Sequence, residues 1–223
     1  VKVSEAIMVD STELEDYITN QETLNKYGFT LEQVPALFMP NSYRMYYDTS
    51  KEAFLERMAK EFKNFWTLAR MEKLKEVGLK SPSQAVTLAS IVYGEQSKNE
   101  SEWPIIARLY LNRLNTGMKL QSDPTFKFCW GDQLEGVQRL TYEHRSKDCP
   151  YNTYLYAGLP PGPISMPPTG VVEAVLNPDK NNYLYMCAKE DFSGYHAFAE
   201  TREQHEINAN KYRAAMNKRN IYK

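Results

Sequence analysis

Glu95 is the residue whose type and placement most directly suggest chemistry. It follows Leu88, Ile91 and Val92 by seven, four and three residues, so on a helix all four share one face. A carboxyl group at the end of an apolar stripe loses solvation, and the negative end of the helix dipole disfavours its charge. Both effects raise its proton affinity, and a glutamic acid still protonated near neutrality can serve as a general acid on a glycosidic oxygen. The plainer alternative is an exposed glutamate at a frayed helix end. Asp123, in "LQSDPT", is either a turn residue before proline or a second carboxylate that orients sugar hydroxyls, and Gln121 beside it has the same two readings. Tyr151, Asn152, Thr153 and Tyr154 form a dense polar and aromatic run that suits stacking and hydrogen bonding with a sugar, and equally an ordinary turn.

The elements that must position these groups read as mostly helical. Ser81, Pro82 and Gln84 open a helix in the manner of a cap, a first-turn proline and a capping-box partner, and this helix ends at Glu95. A second helix is expected from Trp103 to Leu114. A long one is expected from a capping box at Thr49 and Glu52 to about Val77, with Gly78 as its stop. Asp10 with Glu13, and Thr30 with Gln33, mark helix starts, and Ala6–Val9 reads as a short strand. Helical periodicity is absent from Met118 to Leu159, and Met118–Phe128 alternates weakly as a strand would. "GLPPGPISMPP" is a loop of fixed shape, either a groove wall or a surface crossing. "NYLYMCA" and "YHAFA" read as paired strands, and Thr201 with Gln204 starts a C-terminal helix. The sum is an α+β fold, a helical core carrying Glu95 packed with a small antiparallel sheet.

Composition sets bounds on function. The chain has 223 residues, 27 Lys and Arg against 28 Asp and Glu, and a formal charge of −1. Without a basic excess, no nucleic-acid partner is expected. His144, His196 and His205 lie far apart and Cys129, Cys149 and Cys187 lack zinc-ligand spacing, so no metal is expected, and no nucleotide or phosphate motif implies a cofactor. The longest mostly apolar run, Ala85–Gly94, is half what a bilayer crossing needs. The chain begins at Val1 and not Met, which reads as a trimmed fragment.

Taken in order, "LASIVYGEQ", "LYLNRLNTGMKLQSDPT", "PYNTY", "GLPPGPI" and "YLYMCAKEDFSGYHAFAET" resemble the endolytic peptidoglycan transglycosylases of the MltG (YceG-like) family, over roughly residues 37–212. "LFMPNSYRMYYDTS" resembles that family's entry into its catalytic domain. The resemblance implies that residues 34–223 are the catalytic domain and that 1–33 are the remnant of an N-terminal LysM-like subdomain. It implies cleavage of the MurNAc–GlcNAc β-1,4 bond of nascent peptidoglycan by Glu95 as both acid and base, which leaves 1,6-anhydroMurNAc ends and limits strand length. Gln121, Asp123, Tyr151, Asn152 and Thr153 fall on groove motifs and are the implied substrate-binding residues. The implied partners are glycan strands and the cell-wall synthases (penicillin-binding proteins). The implied location is the outer, periplasmic side of the cytoplasmic membrane, tethered by one N-terminal helix that this chain does not contain. Two rival readings are a muramidase-type hydrolase using Glu95 and Asp123, and a non-catalytic glycan-binding module.

The sequence departs from the family pattern at Tyr93 and Gly94, where acidic and polar residues are usual, and in an insertion-like stretch between Cys129 and Cys149. Because thiols outside the membrane tend to be oxidised, those two cysteines are candidates for a disulfide across the stretch. Cys187, in the strand-like "YLYMCA", is expected to be a buried free thiol.

Overall fold

The computed structural model describes residues 2–134 and 141–219. In chain order the helices are α1 (Lys2–Ala6), α2 (Ser11–Thr19), α3 (Gln21–Asn25), α4 (Val34–Leu37), α5 (Lys51–Phe65), α6 (Leu68–Glu76), α7 (Pro82–Glu95), α8 (Trp103–Asn115), α9 (Asp123–Trp130), α10 (Tyr142–Arg145) and α11 (Thr169–Leu176). Strands β1 (Tyr185–Ala188) and β2 (His196–Ala199) come next, and α12 (Arg202–Lys218) is last. The α+β reading holds.

The core is built around α7. Ala85, Val86, Leu88, Ala89, Ile91 and Val92 are all buried, and the helix packs against α4, α6, α8, α9 and α11. A helix apolar on nearly every side is stable only when neighbours cover every side. Ser81 caps it by accepting from the Gln84 amide, and Pro82 fills a first-turn position whose N–H would be orphaned anyway. Buried polar groups along it are satisfied locally: Thr87 donates to the Ser83 carbonyl and Ser90 to the Thr87 carbonyl. The strands pair antiparallel with Tyr185 opposite Ala199 and Ala188 opposite His196. A lone hairpin is marginal in water, and here α12 packs on it, started by Thr201, which accepts from the Gln204 amide.

Several expectations fail for identifiable reasons. The single long helix from Thr49 is two helices. Ser50, not Thr49, caps α5, and the chain turns at Trp66 so that Thr67 can cap α6 through the Arg70 amide. The Ala6–Val9 strand is the end of α1 and then a turn with Met8 in the left-handed region. Ile7 tucks into a small cluster with Leu14, Phe54 and Met58 instead of pairing. Met118–Phe128 is not a strand: Pro124 presets the first turn of α9, and that outweighs a weak alternation. Helix α11 has no clear signal in the sequence, because "TGVVEAVL" is rich in β-branched valines and apolar apart from Thr169 and Glu173. Its burial against α7 and α8 is what makes it helical.

Two glycines permit close approaches that shape the site. A Cβ at Gly94 would lie 2.7 Å from Pro124 Cβ, so only glycine lets the start of α9 press against the end of α7. A Cβ at Gly162 would lie 1.8 Å from the Glu32 carbonyl oxygen, so the Pro-Gly loop is clamped onto the turn at Leu31–Gln33. Leu24 and Phe29 join the main core, so the described residues ahead of Val34 include some packed against the rest of the chain.

Candidate active site

Glu95 ends α7 on the wall of a cleft of about 430 Å³, which Tyr110, Gln121, Asp123, Arg145, Tyr154, His196 and His205 also line. Gln96, the next residue, anchors the main chain at this point. Its carbonyl accepts from the Trp103 indole at 2.7 Å, and its amide side chain donates to Glu102 and to the Gly194 carbonyl, each at 2.8 Å. The Glu95 carboxyl group is fixed through one oxygen. Tyr110 Oη and Ser122 Oγ donate to Glu95 Oε1 at 2.6 and 2.5 Å. No described group donates to Oε2.

The electrostatics agree with this geometry. Burial pushes the Glu95 proton affinity above the ordinary glutamate value, the hydroxyls of Ser122 and Tyr110 pull against it, and the charge of Asp123 adds to the rise. Tyr110 is pushed well above its ordinary value, by burial first and by Glu95 second, so it remains a donor.

Asp123 lies in the same cleft, but its carboxylate is engaged. Oδ1 accepts from Tyr154 Oη at 2.5 Å, Oδ2 is 3.6 Å from Arg145 Nη2, and the Arg145 guanidinium stacks over the Tyr154 ring at 5.1 Å. Burial first, and Asp123 second, push the Tyr154 phenol well up, which keeps that hydroxyl protonated. Gln121 lines the cleft in the left-handed region (φ 49°), held by its amide on the Thr153 carbonyl at 3.1 Å.

The "PYNTY" run divides by direction. Thr153 is buried: its Oγ1 accepts from the Ser122 amide at 3.0 Å and lies 2.8 Å from Thr125 Oγ1, so it positions Ser122 from behind. Asn152 is wholly buried. It donates to the Arg145 and Lys147 carbonyls at 2.9 and 2.8 Å and accepts from the Tyr154 amide, so it holds the segment carrying Arg145 and faces no cleft. Tyr151 packs on Phe128, ring centroids 4.7 Å apart, on a separate shelf with Pro35, Ile164 and Met166. Between these segments Cys129 and Cys149 are joined in a disulfide, Cα atoms 6.1 Å apart, which ties α9 to the start of the run. Cys187 is a free, half-buried thiol on the cleft wall.

Sequence reasoning missed Ser122, Tyr110, Arg145 and His196. Ser122 sits inside the "LQSDPT" motif, between two of its candidate residues. Tyr110 is a hydroxyl on the apolar side of α8, a signal in itself, because a buried phenol needs a hydrogen-bond partner.

Comparison with known proteins shows the family. An endolytic murein transglycosylase of Bacillus subtilis (strain 168) is 33% identical over 172 residues, covering 77% of this chain and 46% of the relative. One from Streptococcus pneumoniae serotype 2 (strain D39) is 27% identical over 201 residues, covering 84% of this chain and 36% of the relative. The chain thus spans less than half the length of these curated relatives. A crystal structure of a yceG-like protein from Listeria monocytogenes superposes with a TM-score of 0.70 at 27% identity, covering 92% of this chain and 69% of that one. The YceG-like family model matches residues 2–211, a span that contains Glu95 and all but Tyr212 of the residues lining its cleft, and the chain therefore belongs to the YceG-like family.

Proposed function

We propose that this chain carries the catalytic region of an endolytic peptidoglycan transglycosylase, with Glu95 as its single acid and base. The observation that carries the reading is the carboxyl group itself, which holds its proton more tightly than usual, has one oxygen anchored by two hydroxyls and has no described donor on the other. In the first step Glu95 gives its proton to the bridging oxygen, the bond from that oxygen to MurNAc C1 breaks, and GlcNAc leaves with a 4-hydroxyl. In the second step the Glu95 carboxylate takes the proton of the same MurNAc's 6-hydroxyl as O6 bonds to C1. A 1,6-anhydro ring closes, the acid is regenerated and no water is consumed. The internal hydroxyl competes well with water because it is already held beside C1.

The engaged carboxylate of Asp123 favours this reading over the muramidase-type hydrolase. A second catalytic carboxylate would have to leave both Tyr154 and Arg145. Gln121 and Asp123 remain substrate-binding candidates in the cleft, Tyr151 remains one on the neighbouring shelf, and Asn152 and Thr153 act through the residues they hold. The disulfide suits work in an oxidising compartment outside the cytoplasmic membrane. No helix among the described residues is long and apolar enough to cross a membrane; tethering, and action beside the cell-wall synthases, stay part of the proposal.

Un-crosslinked glycan strands test the reading. Mass spectrometry should find 1,6-anhydroMurNAc ends from the wild-type protein, while Glu95→Gln should lose at least the ~10²–10⁴ of general acid–base catalysis and stay folded. Reducing ends that take up borohydride, or near-normal turnover by the folded variant, would sink the proposal.

A further inference from the structure

Among the polar groups lining the cleft, His196 has a geometry that the two-step scheme does not use. His196, on β2, lines the cleft with Glu95, and its side chain keeps 14% of its surface. Its backbone amide donates to Glu102 Oε1 at 2.8 Å, and its ring Nδ1 lies 2.9 Å from Glu102 Oε2. Glu102 is itself buried, and its Oε2 also accepts from Gln96 Nε2. The orientation of the Gln96 amide is unambiguous, because its oxygen accepts from the Lys98 and Asn99 amides. Both oxygens of Glu102 therefore act as acceptors, which puts the proton of a neutral His196 ring on Nδ1. Nε2 is then a lone-pair acceptor, and no described group bonds to it. A buried carboxylate that orients an imidazole through Nδ1 and leaves Nε2 toward a cleft is costly to build as mere filling, since the hairpin could close over the core with an apolar residue here.

We propose that His196 is a substrate-contacting residue, fixed by Glu102 so that Nε2 accepts a hydrogen bond from an O–H or N–H of the sugar bound beside Glu95. The inference rests on the glycan-cleaving reading and adds to it a second point of contact, supplied by the hairpin and not by the helices. It also gives the Gln96–Glu102–His196 chain a purpose: the residue next to the acid and the residue that holds the sugar are tied to one buried carboxylate.

Binding measured in the Glu95→Gln background separates this proposal from the lyase reading. Asn at 196 can keep an N–H near the position of Nδ1 and loses Nε2, whereas Gln can place an oxygen near Nε2. The probe is short un-crosslinked glycan strands, with calorimetry for affinity and thermal melting for fold. Glu95→Gln/His196→Asn should melt like Glu95→Gln and bind about 3- to 10-fold more weakly, the range of one neutral hydrogen bond. Glu95→Gln/His196→Gln should recover to within about two-fold. Unchanged affinity with Asn, or equal loss with Asn and Gln, would overturn the proposal. Strands that bind the wild-type protein and stay uncut would overturn the lyase reading alone.

Discussion

Replacing Tyr110 by Phe removes one atom from the surroundings of Glu95, the proposed catalytic group, and little else. The ring is buried among the residues of α8 and stays in place, and the lost hydroxyl has donated to Glu95 Oε1 at 2.6 Å. Ser122 still donates to that oxygen, so the carboxyl group keeps one anchor. A hydrogen bond to a charged acceptor contributes about 1.5–3 kcal/mol net. At about 1.4 kcal/mol per tenfold, its loss where negative charge grows on Glu95 lowers kcat about 10- to 100-fold. The pH profile carries a sign as well. The Tyr110 hydroxyl lowers the Glu95 proton affinity, so removing it makes the acid hold its proton to higher pH. The alkaline limb of kcat/KM should therefore move upward while the maximum falls. The assay is release of anhydro ends from un-crosslinked strands between about pH 5 and 9, with thermal melting as the control for fold. A folded Tyr110→Phe protein with kcat within two-fold of wild type, or an alkaline limb that moves down, would refute the role given to this hydroxyl.

Two further outcomes are expected. Burial raises the Glu95 proton affinity above the ordinary 4.5. The stability this lends is intact below that value and lost as pH rises through the folded-state value. Glu95→Gln cannot ionise, so its Tm should exceed wild type at about pH 8 and converge with it at about pH 4; a gap that widens toward acid would contradict the assignment. Breaking the Cys129–Cys149 bond, by a Ser pair or by reductant, opens a 20-residue loop. By chain entropy that costs about 3 kcal/mol, or roughly 6–12 °C in Tm for a chain this size, and equal melts with and without reductant would exclude that contribution.

What could be read from the sequence was what local chemistry determines. The caps at Ser81 and Thr201 and the apolar stripe leading to Glu95 depend on neighbours within a few residues, the hairpin joins two strands that follow one another in the chain, and all four appear in the structure. What escaped depends on contacts far along the chain. Glu95 meets Tyr110 and Ser122 across 15 and 27 residues, through packing that no periodicity encodes. Polarity marks the Asn152 and Thr153 side chains as hydrogen-bonding but does not give their direction. Both turn inward to satisfy buried backbone groups that a short loop cannot otherwise pair, while Tyr151 turns out onto a shelf. The stretch from Glu135 to Leu140, part of the insertion-like segment, lies outside the described residues.

In the proposed scheme a single carboxyl group acts first as acid and then as base, and so faces opposing demands. As an acid it needs a proton at neutral pH, which burial supplies. As a base it must exist as a carboxylate between the two steps, and burial alone would make that state costly. Tyr110 and Ser122 resolve the conflict because hydroxyls stabilise the anion without bringing a positive charge that would strip the proton from the acid. An arginine in either place would lower the proton affinity outright. Arg145 is instead committed to Asp123 and Tyr154, and Arg113 to the Leu184, Lys119 and Leu120 carbonyls, so neither cation is paired with Glu95. Both donors are on one oxygen, so in that scheme Oε2, to which no described group donates, can lose a proton to the glycosidic oxygen and regain one from the 6-hydroxyl without breaking the bonds that hold the group. The hydroxyls are donors only because each has its own support. Thr153 fixes the Ser122 backbone, the walls of α8 enclose the Tyr110 ring, and Gly94 lets the start of α9 come close enough for Ser122 to reach Glu95.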